Sequence, residues 1–191
     1  TWVVGNSKTM TINGASYQVD IIGKNHDTYA SGGKAPLTFQ LHDCYADTKA
    51  MNSSNTNSGG WKNSAMRTTH LPAILALMPT EVQNGIREVS KKASVGGASS
   101  TIETVSDKLF LLSEVEIFGS TSYSAAGEGT QYDYYKAGNS KVKNRNGSAA
   151  YWWERSPYGS DSAYFCIVIS NGSALYNGAS TASGVAFGFC F

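Results

Sequence analysis

From Pro157 to Phe191 the chain contains no Lys, Arg, Glu, Gln, His, Met or Trp, and its only charged side chain is Asp161. What remains is Tyr, Ser, Asn, Gly and Ala with a few Ile, Leu, Val and Phe. That vocabulary is the one an antibody paratope uses, with Tyr supplying rigid amphipathic contact area and Ser, Gly and Asn supplying adaptable hydrogen bonds. The stretch therefore reads as a binding surface, and the preceding residues have to supply the scaffold that holds it.

A genetic argument points the same way. An Asn codon of the form AAY whose two adenines are replaced freely can encode many residue types, but never Lys, Gln, Glu, Met or Trp. All five are missing after Pro157. Ordinary chains use Lys and Glu heavily, so their joint absence suggests targeted diversification; glycine- and serine-rich loops can also lack them.

A chain of 191 residues can bury roughly 70% of its unfolded surface in one core, so a single domain over 1–191 is expected. Charged residues make up 15% and the net charge is +1. No basic patch with interleaved aromatics occurs, which argues against nucleic acid as a partner. Neither a signal peptide nor an apolar run of about 18 residues is present, so no direct membrane insertion is expected.

Cys44, Cys166 and Cys190 are odd in number, and buried free thiols are the favoured reading over a Cys166–Cys190 bridge between neighbouring strands. There is no CxxC, and His26, His42 and His70 are isolated, so no metal site and no cofactor are expected.

Along the chain, short strands alternate with two helical regions. Met10 to Ile22 reads as a hairpin turning at Asn13-Gly14. Pro36 to Leu41 alternates Leu37, Phe39 and Leu41 against polar neighbours, as a half-buried strand does. Residues 42–60 have loop chemistry, with Trp61 as an anchor into the core. A helix is expected from about Ser64, broken or restarted at Pro72, and a second after Pro79 with Val82 and Ile86 facing inward. Arg87 to Ala93 reads as a strand alternating Val89 and Lys91, and 94–106 as a Gly/Ser/Thr loop. Lys108 to Leu112 is expected as a buried strand that runs into Ser113-Glu114-Val115-Glu116, a capping-box spacing. Residues 120–150 hold Tyr123, Tyr132, Tyr134 and Tyr135 and should be ordered by aromatic packing. The last strand candidates are Tyr151 to Glu154, Tyr164 to Ile169 and Val185 to Phe191.

Several of these segments together carry a resemblance: Gly-Gly-Trp at 59–61, Ser-Ala-Met-Arg at 64–67, Leu-Met-Pro at 77–79, Lys-Leu-Phe-Leu-Leu-Ser-Glu-Val-Glu at 108–116, Trp-Trp-Glu-Arg-Ser-Pro at 152–157 and the closing Gly-Val-Ala-Phe-Gly-Phe. The succession resembles the variable proteins of diversity-generating retroelements, a phage and bacterial group of C-type-lectin-like fold related to formylglycine-generating-enzyme-like domains. It covers most of the chain, from about residue 15 to the end.

The resemblance implies an α+β domain of small antiparallel sheets with two short helices and long ordered loops, displaying a variable region at about 152–191. The ligand-binding positions would be Tyr158, Gly159, Ser160, Asp161, Ser162, Tyr164, Ile167, Ile169, Asn171, Ser173, Leu175, Tyr176, Asn177, Ser180 and Thr181, with Trp152, Trp153, Arg155, Gly184, Val185, Phe187, Gly188 and Phe189 as framework. The expected function is non-enzymatic recognition of a protein or glycan ligand on a cell surface, from a phage virion or a bacterial surface. A homo-oligomer would add avidity. A non-diversified surface lectin or adhesin is the alternative.

Physical readings refine the roles. Trp152 and Trp153 should point to opposite faces of a strand, with at most one outside the core. Arg155 should pair with a buried acid or cap carbonyls. Tyr158, Tyr164 and Tyr176 suit an interface hot spot. Ile167 and Ile169, if their face meets solvent, would form an exposed apolar patch.

Two rivals fit less well. Formylglycine-generating oxidases share the implied architecture but bind copper through a nearby pair of cysteines, and Cys166 and Cys190 are far apart in sequence. A calcium-dependent lectin needs several carboxylates close together, and the C-terminal region offers only Glu154 and Asp161.

Overall fold

The computed structural model describes residues 2–191. Asn13 and Gly14 both adopt positive φ, 49° and 75°, as the two central residues of a type I′ turn must. They join β1 (Ser7–Ile12) to β2 (Ala15–Lys24) in a register that pairs Ile12 with Ala15. β2 pairs with β3 (Leu37–Leu41), and β3 pairs with β11 (Gly188–Cys190), giving an antiparallel sheet of order β1-β2-β3-β11. Phe189 sits opposite Phe39 with the rings stacked 5.5 Å apart. The two ends of the chain are thereby closed into one sheet.

Trp61 is fully buried at the start of α1 (Gly60–Asn63), earlier than the helix start expected at Ser64. A π-helical turn over Met66–His70 leads into α2 (Leu71–Leu75), where Pro72 lies in the first turn and restarts the helix without breaking the chain's course. α3 (Thr80–Gly85) follows Pro79. Ile86 is buried and Val82 packs on the core from a half-buried position. Ser113 caps α4 (Glu114–Phe118) through the anticipated capping box with Glu116. α5 (Asp133–Lys136) places Tyr135 in the core, beside Tyr132. Among the described residues there are thus five short α-helices and a π-helical turn rather than two helices.

Two stretches differ from expectation. β4 (Val89–Ser94) pairs with β5 (Ile102–Asp107), so half of the expected 94–106 loop is a strand, with Val105 and Asp107 buried. Conversely, Leu109 to Leu112 is buried but is no strand: its backbone bonds run between Phe110 and Gly188 and from Arg155, whose N–H donates to the Leu112 carbonyl and whose guanidinium donates to the Leu111 carbonyl. The apolar run signals burial, and a side chain takes the place of a neighbouring strand.

The second sheet, of order β10-β9-β8, is built from β8 (Trp152–Pro157), β9 (Tyr164–Val168) and β10 (Ala174–Gly178). A small ribbon of β6 (Lys143–Arg145) and β7 (Ser148–Ala150) precedes it within the 120–150 segment. Both Trp152 and Trp153 are fully buried, in keeping with the expectation that at most one would lie outside the core. Both faces of β8 are covered, and each indole N–H finds a carbonyl, Lys141 at 3.0 Å and Lys49 at 2.8 Å.

The frame is fastened by a buried set of charges. Lys91 does not face solvent as an alternating strand residue would. It lies 2% exposed and donates to Asp27 (2.8 Å), Glu116 (2.7 Å) and the Tyr132 hydroxyl (3.0 Å). Arg155 forks onto both oxygens of Glu116 (2.5 and 2.9 Å) and also donates to the carbonyls of Lys92, Leu111 and Glu128. Each donor has an acceptor, the condition under which buried ions are tolerated. Burial would raise Asp27 and Glu116, but Lys91 with the Thr38 and Tyr132 hydroxyls at Asp27, and Arg155 with Lys91 at Glu116, outweigh it and hold both below the usual carboxylate range. One cluster of charges thus ties β4, α4, β8 and the loop at Asp27 together.

Candidate functional site

Along β9, Tyr164, Cys166 and Val168 alternate with Phe165 and Ile167. Phe165, Cys166, Ile167 and Val168 are buried, whereas Tyr164 is half-exposed. Tyr176 lies opposite Cys166 on β10, so its ring falls on the Tyr164 face. Tyr158 comes from the residue that follows β8, and Tyr123 from the loop after α4. The four rings converge. Tyr158 and Tyr176 stack at 4.2 Å and 4°, Tyr123 meets Tyr176 edge-on at 5.3 Å, and Tyr164 meets Tyr176 edge-on at 5.2 Å. All four are half-buried, leaving ring surface and hydroxyls for a ligand while each ring limits its neighbours' rotamers.

The backbone beneath the rings is held by residues from outside the segment. Asn57 is fully buried. Its side-chain N–H2 donates to the carbonyls of Tyr164 (2.7 Å) and Asp161 (2.9 Å), with the Tyr158 carbonyl at 3.4 Å, and its main-chain N–H donates to the Ser162 carbonyl at 2.6 Å. The Asn57 side-chain oxygen accepts from Gly97 N–H at 2.7 Å, which fixes the amide's orientation. On the other side, the Glu114 carboxylate accepts the N–H groups of Ser122, Tyr123 and Ser124 at 2.7–3.1 Å. Gly159 N–H then donates to the Tyr123 carbonyl at 2.8 Å. None of these bonds uses a side chain between residues 158 and 164.

The predicted site residues divide into two groups. Tyr158, Gly159, Ser160, Asp161, Ser162 and Tyr164, with Tyr176, Asn177, Ser180 and Thr181, lie at the open end of the β9–β10 hairpin, where Tyr164 is opposite Gly178. Ile169, Asn171 and Ser173 lie at its turn, beyond the Val168–Ala174 pair, about 13 Å along the strand. Leu175 is half-buried between them. Ser160, Asp161, Ser162, Asn171, Ser173, Ser180 and Thr181 are exposed. Ile167 is the exception: it is 1% exposed, pairs with Trp153 and belongs to the core, so it offers nothing to a ligand. Ile169 is half-buried against the same core, and the apolar patch expected from the pair does not form.

Three participants escape a reading of the C-terminal segment alone: Tyr123, Asn57 and Glu114. Tyr123 carried a signal as one of the tyrosines in an otherwise aliphatic-poor stretch. Asn57 and Glu114 are ordinary residues for a loop and a helix start, and their partners lie far away in sequence.

Near the site, the Glu154 carboxyl is fully buried and, like the Ser124 hydroxyl, has no hydrogen-bond partner. Burial, reinforced by the charges of Glu114 and Glu128, pushes it well above the usual carboxylate range. Glu128 is pushed up by burial to about 7, although it accepts from Ser94 N–H at 2.7 Å and from the Ser156 hydroxyl. The three cysteines are free and buried, and burial raises their thiols, Cys44 to about 11, Cys190 to about 12 and Cys166 well above the ordinary value. They have the character of core thiols, with little thiolate for nucleophilic or metal chemistry.

Residues 37–190 match the family described as a domain of unknown function, DUF6273, and the chain belongs to that family. No curated protein and no solved structure matches it.

Proposed function

We propose that this domain is a non-enzymatic ligand-binding module of C-type-lectin-like fold, whose binding face is the tyrosine cluster and the exposed polar residues around it. The observation that carries this reading is the division of labour at residues 158–164. Residues outside the segment hold its backbone through main-chain groups, and the segment's own side chains stay half or fully exposed, with Asp161 alone among them bonding the backbone, at Ala163 N–H (2.8 Å). A surface built in this way can change its side chains without changing its fold, which is what diversification by a retroelement requires.

The fold assignment is supported by the small antiparallel sheets, the short helices, the long ordered loops and the closure of both chain ends into one sheet. The non-enzymatic reading is supported by the raised thiols and by the complete internal satisfaction of the Lys91 and Arg155 charges. The ligand would be a cell-surface protein or glycan, met from a phage virion or a bacterial surface.

Two libraries displayed on phage test the proposal. One is diversified at Tyr158, Ser160, Ser162, Tyr164, Tyr176, Ser180 and Thr181, the other at an equal number of exposed residues in β1, β2 and α3. The first should yield folded binders to arbitrary protein targets at a far higher frequency; equal yields would sink the assignment of this face. Retroelement diversification is tested separately, by sequencing adjacent DNA for a near-identical repeat that differs at adenines.

A further inference from the structure

A groove of about 380 Å³ lies between the β6–β7 ribbon and the segment from Asn177 to Gly184. Its position sets it beside the tyrosine face, since Asn177 follows Tyr176 on β10 and points to the other side of the strand. Tyr151 lines it with a side chain 46% exposed. The backbone of that residue is fixed by Gly184 N–H, which donates to the Tyr151 carbonyl at 2.8 Å. Arg145 lines the same groove and places one guanidinium nitrogen on the Ala46 carbonyl at 3.3 Å, which leaves a pair of N–H donors on the other edge of the fork. The Asn177 side-chain oxygen is taken by Gly178 N–H at 2.9 Å, so its N–H2 is available to donate. Ser148, Thr181 and Ser183 add hydroxyls, and no Asp or Glu lines the groove.

An aromatic plane, a guanidinium fork, an amide donor and hydroxyls, with no opposing carboxylate, form a set suited to one class of ligand. A pyranose ring lays its C–H face on the tyrosine, its hydroxyls meet Ser148, Thr181, Ser183 and Asn177, and a carboxylate on the ring is held by two parallel N–H donors. A neutral sugar would leave the guanidinium without its partner, and a peptide would gain little from so shallow an array of hydroxyls. We propose that this groove binds a carboxylate-bearing sugar, a sialic acid or uronic acid unit of a glycan. The groove shares Asn177 and Thr181 with the proposed variable face, so the inference rests chiefly on Arg145, Ser148, Tyr151 and Ser183, which lie outside that set.

The test is a titration of the whole domain with 3′-sialyllactose, glucuronic acid and lactose, followed by NMR shifts of the Tyr151, Asn177 and Thr181 amides. Both acidic sugars should saturate these shifts, and lactose should bind at least about tenfold more weakly. Arg145→Gln should lose at least about tenfold in affinity for the acidic sugars. Because Arg145 also bonds Ala46, Tyr151→Ala serves as the second variant; its ring is exposed, and its loss should weaken binding comparably with no change in melting temperature. Failure of both acidic sugars to saturate the wild-type protein at tens of millimolar would overturn the proposal. So would equal binding of lactose, or unchanged affinity in either variant.

Discussion

The side-chain amide of Asn57 donates to the carbonyl of Tyr164 at 2.7 Å, across more than a hundred residues of sequence. Through this bond and its companions, a buried residue of an early loop sets the path of a late one. A main-chain carbonyl is the same whatever side chain the residue bears, so the arrangement survives substitution at the surface.

Asn57→Ala should therefore cost more than an ordinary loop substitution. It leaves the carbonyl of Asp161 and the N–H of Gly97 without partners and takes from the Tyr164 carbonyl one of its two donors, and a loss of about 2–3 kcal/mol is expected by urea denaturation. Gly96→Ala should be as harmful or worse. Gly96 has φ +72°, and an added Cβ would lie 1.8 Å from the Asn57 carbonyl oxygen.

Arg155 offers a second test, on the frame. Arg155→Met leaves Glu116 buried beside Lys91 with half of its counter-charge gone and takes a donor from three carbonyls, of which Glu128 keeps the Ser113 hydroxyl, and should destabilise the domain by about 3–5 kcal/mol. Arg155→Lys keeps the charge but cannot span the same acceptors, so it should recover only part of that loss. Full recovery would mean that charge alone matters.

Stability should peak in mild acid. Asp27 and Glu116 titrate below the ordinary carboxylate range when folded, so the stability they contribute is complete above about pH 4 and is lost as pH falls through their lowered values. Glu128 and Glu154 titrate above it. Their contribution is complete below about pH 4 and declines as pH rises toward their raised values, about 7 for Glu128. Unfolding free energy should then decrease from pH 5 to pH 8, and Glu154→Gln should flatten that slope, so that the variant gains on the wild-type protein as pH rises. Parallel slopes for the two proteins would contradict the assignment of Glu154 as a buried neutral acid.

The rings themselves should tolerate change unevenly. Tyr176 contacts three other rings, so Tyr176→Ser should cost about 1–2 kcal/mol. Trp153→Ala, in contrast, should cost at least about 3–5 kcal/mol, because its ring is fully buried and its indole N–H is bonded to Lys49. Melting temperatures of the two variants give the comparison.

What the sequence made legible follows the range of the interactions involved. The Asn13-Gly14 turn, the Ser113–Glu116 capping box and the restart at Pro72 are local, and all three form. Arg155 as the partner of a buried acid was also legible, since an arginine between strand residues has few other uses. Leu109 to Leu112 was misread because an apolar run reports burial, not pairing, and its carbonyls are satisfied by Arg155. β5 was missed because Thr101 to Ser106 is polar on one face and its partner, β4, is needed to make the alternation meaningful. At the proposed binding face, residue type alone singles out Tyr158, Tyr164 and Tyr176, and their rings converge. Ile167 was not distinguishable from Ile169 until the Trp153 pairing fixed which positions the core takes. Asn57 and Glu114 act through distant backbone groups, and no local pattern encodes that.

Apart from Asp161, which accepts the Ala163 N–H, the displayed side chains should not be needed to hold the backbone of their own segment. Amide hydrogen exchange tests this directly at Tyr158, Gly159 and Ala179, whose N–H groups bond to Tyr164, Tyr123 and Ala163. In a Tyr158→Ser, Tyr164→Asn, Tyr176→Ser variant these three amides should keep their protection to within about tenfold after correction for global stability, whereas Asn57→Ala should expose Tyr158 and Ala179. Loss of protection in the triple variant, with Asn57 intact, would contradict the account.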